Sequence, residues 1–303
     1  MFPLAALWLA QRRIEQLRRV FSLAPTHRRE LMSVVAALAL LPMLLGVAAA
    51  QPVVIRHQSL GVRADVQAFF VFDTSLSMSA RESKDGPTRL ERAKHEADQV
   101  IPQLGDIPIG LATMTDRVLP DLMPTPNLAV ILRTLHQSVG IDRPPPSQVY
   151  DGRATTFQAL FPIPTANFYN PGVTHRILVV FTDGEDAPFR SSVDFELARA
   201  MTVHPLFVRV WTPTDRIYLH GRVNGKYRPD PASGSVLRRF TAAAHGQVFG
   251  ENDPDALVQE IRDEAGNSPA RTTVVGYARV ALAPWFVLAG VIPLGFLLYR
   301  RNL

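Results

Sequence analysis

Two stretches without a single charged residue, Leu31 to Ala50 (twenty residues) and Val280 to Leu298 (nineteen residues), constrain this chain more than any other feature. A helix rises about 1.5 Å per residue, so each stretch can cross about 30 Å of hydrocarbon. Everything between them has to fold between two membrane attachments. Pro284 and Pro293 in the second run suit a membrane helix better than a soluble core helix, and Trp285 and Tyr299 near its ends have the amphipathic rings of interfacial anchors.

The formal net charge of +5 would fit a nucleic-acid groove only if it lay on the intervening domain. It lies at the tips. Residues 1–30 hold Arg12, Arg13, Arg18, Arg19, Arg28 and Arg29 against Glu15 and Glu30, and Arg300 with Arg301 follows the second run, which leaves the middle of the chain with one net negative charge. Nucleic acid is thereby excluded as a partner and the lipid bilayer is implied. Eight arginines on the terminal sides of the runs face five on the inner sides (Arg56, Arg63, Arg262, Arg271, Arg279), so the positive-inside rule predicts cytoplasmic termini in the cell (inner) membrane. The 226 residues from Gln51 to Gly276 are then periplasmic or extracellular. Ala48-Ala49-Ala50 matches an A-x-A cleavage site, but the thirty residues ahead of the run are long for a secretory signal, and an uncleaved anchor is expected. Cleavage at Ala50 would leave the domain on the same side. With no cysteine, the chain has neither a disulfide nor a thiolate metal site.

Between the runs, strand-like and helix-like stretches alternate. Gln67–Phe72 and Arg176–Thr182 are short, nearly all-apolar runs of the kind a strand covered on both faces needs, and Ile109–Thr113, Arg117–Leu122 and Pro205–Trp211 read as further strands. Helical spacing is found at 89–104, 127–139, 193–200, 236–244 and 255–264, and another helix is expected to start near Thr155. The pattern predicts an α/β fold: a doubly wound, mostly parallel sheet with helices on both faces. Asn224-Gly225 between strand-like arms predicts a β-hairpin inserted at 212–233. The Pro-rich Arg143–Ser147 stretch reads as a rigid loop. The expected organisation is a basic cytoplasmic segment at 1–30, a membrane helix at 31–50, a domain at 65–265, a second membrane helix at 280–298 and a cytoplasmic tail at 299–303.

In such sheets ligands bind at the carboxyl ends of the strands. After the first strand stands Asp73-Thr-Ser75-Leu-Ser77, an Asp-x-Ser-x-Ser pattern that can aim one carboxylate and two hydroxyls at a point. Such hard oxygen donors favour Mg²⁺, Mn²⁺ or Ca²⁺ over zinc. Taken alone the pattern is weak, because serines after a strand commonly cap the next helix. A second carboxylate comes from Thr182-Asp183-Gly184 at the end of the other buried strand, and a hydroxyl from Thr155 in Arg153-Ala-Thr-Thr-Phe157. Read singly, these are a turn and a helix cap.

The ordered set resembles the metal-ion-dependent adhesion site of the von Willebrand factor A family. The resemblance implies that Ser75, Ser77 and Thr155 contact a Mg²⁺ ion, Mn²⁺ or Ca²⁺ being alternatives, while Asp73 and Asp183 act directly or through water. Phe157 in the family's apolar place assigns the threonine role to Thr155, with Thr156 the neighbouring alternative. Met78, the Pro87–Lys94 stretch and the endings around Leu237, Gly246 and Asp255 are similar to bacterial members. The flanking membrane segments resemble proteins associated with MoxR-type ATPases, including the Bat group. Thr182–Pro188 is similar to members found with methanol oxidation systems.

The resemblance implies a metal-gated binding module whose ion takes an Asp or Glu carboxylate from a partner protein, acting in assembly or maturation of a membrane or periplasmic complex. Other proteins of this family, or a MoxR-type ATPase system, are the implied partners. A metal-independent membrane scaffold and a Mg²⁺-dependent hydrolase are the alternatives. Phosphoaspartyl hydrolases need an acid two residues after the nucleophile, where this chain has Ser75, and no Gly-rich phosphate loop is present, so no enzyme is expected. The eight histidines are scattered without i, i+4 metal spacing. Glu185 and Asp186 beside the site read as solvated loop acids.

Overall fold

The computed structural model describes residue 12 and residues 28–148, 153–186 and 192–301; most of the basic 1–30 segment, Ala187-Pro188 and the last two residues lie outside this set. In chain order the elements are α1 (Arg28–Ala49), β1 (Val53–Val62), β2 (Val66–Asp73), α2 (Arg89–Val100), β3 (Ile109–Met114), β4 (Val118–Thr125) and α3 (Leu128–Gln137). They continue with β5 (His175–Thr182), α4 (Ser192–Arg199), β6 (Pro205–Arg209), β7 (Tyr218–Leu219), β8 (Arg222–Val223) and α5 (Ser233–Ala243). The last are β9 (Gln247–Gly250), α6 (Pro254–Ala265), β10 (Arg271–Ala281) and α7 (Ala283–Arg301).

Two compact units emerge, one of residues 1–58 with 276–303 and one of residues 59–275. In the first, α1 and α7 are long and apolar enough to cross a membrane, with mean hydropathies of 2.3 and 1.5 over their most apolar windows. Those windows are 6% and 11% buried, so neither helix is covered as a soluble core helix would be. Strands β1 and β10 form a two-stranded sheet. Neither strand was expected from the sequence.

The second unit is a six-stranded sheet of order β4-β3-β2-β5-β6-β9, parallel except for antiparallel β4 at one edge. Its centre follows from β2, all eight residues of which are buried. Alternation sends Ala68, Phe70 and Phe72 to one face, where Leu90, Ala97 and Leu257 of α2 and α6 cover them, and Phe69 and Val71 to the other, against Leu160, Leu237 and Phe240. Each fully buried Phe contributes about 1.5–3 kcal/mol of transfer free energy. Gly110 on β3 is required by this packing, since a Cβ there would lie 2.6 Å from the Phe69 ring. Edge strand β4 carries Pro120 and Pro124, which cannot extend the ladder and so blunt the edge.

Helix α2 starts at a capping box, in which Thr88 Oγ1 accepts the Glu91 N–H at 3.1 Å and Glu91 Oε2 accepts the Thr88 N–H at 2.7 Å. The helix expected near Thr155 is a single 3-10 turn at Phe157–Leu160. The hairpin expected at Asn224-Gly225 turns instead at His220-Gly221, where φ is +50° and +78°, between the two-residue strands β7 and β8. Asn224 forms a local turn, its side chain accepting the Lys226 N–H at 3.1 Å.

Candidate metal centre

Parallel register carries β2 and β5 to the same height, pairing Phe72 with Phe181. The two rings stack with centroids 4.8 Å apart and planes 3° apart, which fixes the next residues side by side. Asp73 consequently meets Thr182, whose hydroxyl donates to Asp73 Oδ2 at 2.8 Å. The other carboxylate oxygen, Oδ1, accepts the Ser75 N–H at 3.0 Å and the Thr155 hydroxyl at 3.2 Å. Ser75 Oγ lies 3.0 Å from Ser77 Oγ.

Thr155 arrives from a distant part of the chain because its neighbours are pinned. The proline loop is held by the Thr74 hydroxyl on Arg143 O at 3.0 Å, by the Thr115 hydroxyl on Pro144 O at 3.3 Å, and by Ser147 on Asp116. Beyond it, the buried Phe157 ring packs against Phe207 and Phe240 at 5.4 and 5.1 Å. Phe157 N–H donates to Asp186 Oδ2 at 3.0 Å. The adjacent hydroxyls divide their tasks: Thr155 reaches Asp73, while Thr156 Oγ1 accepts the Gln158 N–H and caps the 3-10 turn.

Asp183 has different company. Its Oδ1 accepts the Glu185 N–H at 2.8 Å, and its Oδ2 accepts from Arg89 Nη1 at 2.7 Å. Gly184, at φ +76°, provides the left-handed step that lets the chain turn there, its N–H donating to Thr182 Oγ1 at 3.0 Å. The Arg89 side chain is fully buried and also donates to Glu185 at 3.0 Å, Tyr227 OH at 2.8 Å and, through Nε, Asp215 at 2.7 Å. Glu185 further accepts from Tyr227, from Trp211 Nε1 at 3.1 Å and from the Asp230 N–H at 3.1 Å. The 212–230 insertion is thus tied to the second carboxylate of the site, and an antiparallel bridge between Arg81 and Arg216 ties it to the loop after Ser77.

Electrostatics follow this geometry. Burial, then the charge of Asp183, raises the Asp73 pKa to about 7. Burial and Asp183 likewise push Glu185 up, against the opposing pull of Arg89. Burial alone would disfavour the Arg89 cation, but Asp183, Tyr227 and Glu185 outweigh it and hold its pKa above the ordinary arginine range.

A hard divalent cation suits the type of these donors, which are all oxygen: Thr155 Oγ1 meets Asp73, Ser75 Oγ meets Ser77 Oγ, and among the described residues Asp73 accepts from neutral donors alone. No group of three or more His, Cys, Asp or Glu side chains among the described residues is placed to hold a metal ion, the acids Asp183, Glu185 and Asp215 being gathered on Arg89. A groove of about 520 Å³ opens over Ser75, Ser77 and Thr155.

Residues 68–185, which span β2 to the end of this site, match the family described as the von Willebrand factor type A domain. Residues 68–185 are a von Willebrand factor type A domain. BatB from Bacteroides thetaiotaomicron, a conserved hypothetical protein, is a structural relative with a TM-score of 0.53 at 19% identity, over 66% of this chain and 98% of that one. An aerotolerance-related membrane protein from Bacteroides fragilis, bearing multiple mutations to serine, matches with a TM-score of 0.50 at 19% identity, again over 66% and 98%. At that identity the likeness speaks for the fold. No curated protein matches the chain in sequence.

Within the von Willebrand factor A domain, two readings from the sequence need correction. Glu185 and Asp186 are not solvated loop acids but 8% and 1% exposed, one held in the Arg89 network and the other accepting the Phe157 N–H. Arg89 itself escaped notice, although its position carried a signal: it falls on the stripe of Ala93, Ala97 and Val100 that α2 buries, where a charge needs partners. Asp215 and Tyr227, its partners from the insertion, had no comparable signal.

Proposed function

We propose that this protein is a membrane-anchored, extracytoplasmic von Willebrand factor A domain that binds a partner protein through a divalent ion, Mg²⁺ foremost. Ser75, Ser77 and Thr155 would hold the ion, with Asp73 and Asp183 behind them. Bound there, the ion supplies a coordination position at which water exchanges for a carboxylate. The chain's own residues do the rest: Asp73 orients the Ser75 backbone and the Thr155 hydroxyl, Arg89 fixes Asp183, and the proline loop and the insertion flank the groove that receives the partner. The convergence of Thr155 and Ser75 on Asp73 carries this reading, since a cap or a simple turn would not draw a hydroxyl from eighty-two residues away.

Topology supports the partner class. The positive-inside count supports a domain on the periplasmic or extracellular face with both termini in the cytoplasm, and assembly or maturation of a membrane or periplasmic complex is the task that fits such a domain. Another von Willebrand factor A protein, or a MoxR-type ATPase system, is the partner we favour. Crosslinking and affinity capture from membranes, with Mg²⁺ and with chelator, tests the reading in wild type and Asp73→Ala. A partner set lost both on chelation and in the variant is expected. Identical sets would favour a metal-independent scaffold, and turnover of a phosphoester abolished in the variant would favour a hydrolase.

A further inference from the structure

The groove over Ser75, Ser77 and Thr155 continues along the insertion to Lys226 and Arg228. Both side chains are exposed, and among the described residues neither has a hydrogen bond or ion pair. The acids around them are already engaged. Asp215 is buried against Arg89 and Arg92, Asp230 pairs with Arg153, and Glu185 is held by Arg89, Tyr227 and Trp211. Asp142, beside the proline loop, exposed and with its N–H donating to Thr74 O at 2.7 Å, also lines the groove. The insertion therefore contributes two unpaired cations to the lining and the segment beside the proline loop a carboxylate.

We propose that this groove selects an extended acidic peptide segment in a fixed direction: one carboxylate at the metal position, a further acidic side chain facing Lys226 and Arg228. The proposal rests on the metal-gated reading above and specifies its partner. Asp142, contributed to the lining by a different segment, repels acids, which sets the direction by an unfavourable contact as well as a favourable one. The insertion is held in place before binding by the Arg81–Arg216 bridge and the Tyr227–Arg89 contact, so little ordering is needed when a segment enters. A concave groove with Asp142 in its lining fits a peptide better than a flat anionic lipid surface.

The test uses the full chain in detergent and two labelled Gly-Ser peptides, one bearing a single Asp and the other the same Asp with flanking Glu residues. Fluorescence anisotropy is read with Mg²⁺ and with chelator, for wild type and for Lys226→Glu/Arg228→Glu, whose exposed positions leave the fold intact by circular dichroism. The expected result is Mg²⁺-dependent binding of both peptides by wild type, with the acidic one about tenfold tighter at low salt, and loss of that preference in the variant. Equal Mg²⁺-dependent affinity for both peptides, unchanged in the variant, overturns the acidic-segment proposal alone. Absence of any Mg²⁺-dependent binding overturns the metal-gated reading and this proposal with it. Phosphatidylglycerol vesicles that bind through Lys226 and Arg228 without Mg²⁺, while the acidic peptide does not, assign the cations to a lipid surface instead.

Discussion

Asp73 and Asp183 end neighbouring strands of one sheet, both fully buried, and the protein treats them in opposite ways. Asp73 is met by an amide and two hydroxyls, all neutral, whereas Asp183 is met by the Arg89 guanidinium. A buried carboxylate with neutral partners has hydrogen bonds but no compensating charge; one paired with arginine has both. In the proposed reading the Asp73 side receives a cation from solution, whereas the Asp183 side has the Arg89 guanidinium of the protein itself. Arg89 also fastens the insertion through Asp215 and Tyr227, so the Asp183 half of the site is the half joined to the groove along the insertion.

Replacing Arg89 breaks this contrast most severely. Arg89→Met leaves Asp183, Glu185 and Asp215 without their shared cation, and a loss of about 3–5 kcal/mol is expected, read as a lowered melting temperature of the full chain in detergent. Phe181→Ala removes the ring that stacks on Phe72 and holds the two strand ends together, with an expected cost of about 3–5 kcal/mol by the same measurement and weakened metal binding in whatever remains folded. Asp183→Asn keeps the shape but removes one partner of Arg89, and about 1–3 kcal/mol is expected. Asp73→Asn should change the melting temperature far less than Asp183→Asn, since among the described residues no cation faces Asp73; equal losses would erase the distinction. The smallest effect separates the two threonines: Thr156→Ala costs about 0.5–2 kcal/mol through its cap and leaves metal affinity intact, while Thr155→Ala lowers metal affinity in a Mn²⁺ titration.

The sheet was legible because β2 and β5 are apolar on both faces, a pattern that only a doubly covered strand satisfies, and because Asp73, Ser75, Ser77 and Asp183 follow those strands directly. Local order sufficed there. Thr155 was legible as a candidate, but its choice over Thr156 depended on how Phe157 is anchored by Phe207 and Phe240, contacts between residues fifty and more positions apart. The insertion was legible as an insertion and misread in detail, because Asn224-Gly225 has the stronger local turn propensity while the structure gives the turn to His220-Gly221. Burial of Glu185 and Asp186 escaped for the same reason: their partners Arg89, Tyr227 and Phe157 come from three separate segments, and nothing local distinguishes a paired acid from a solvated one. Strands β1 and β10 lie more than two hundred residues apart, and neither carries an alternation strong enough to announce a partner.

In the proposed reading the Asp73 side holds a divalent ion. Titration of Mn²⁺ into the full chain in detergent, followed by electron paramagnetic resonance and competed with Mg²⁺, addresses it without any partner. Saturable binding at a single site in wild type, displaced by Mg²⁺ and absent from a folded Asp73→Asn variant, is the predicted result; binding that is undiminished in that variant, or absent from wild type, would contradict the account.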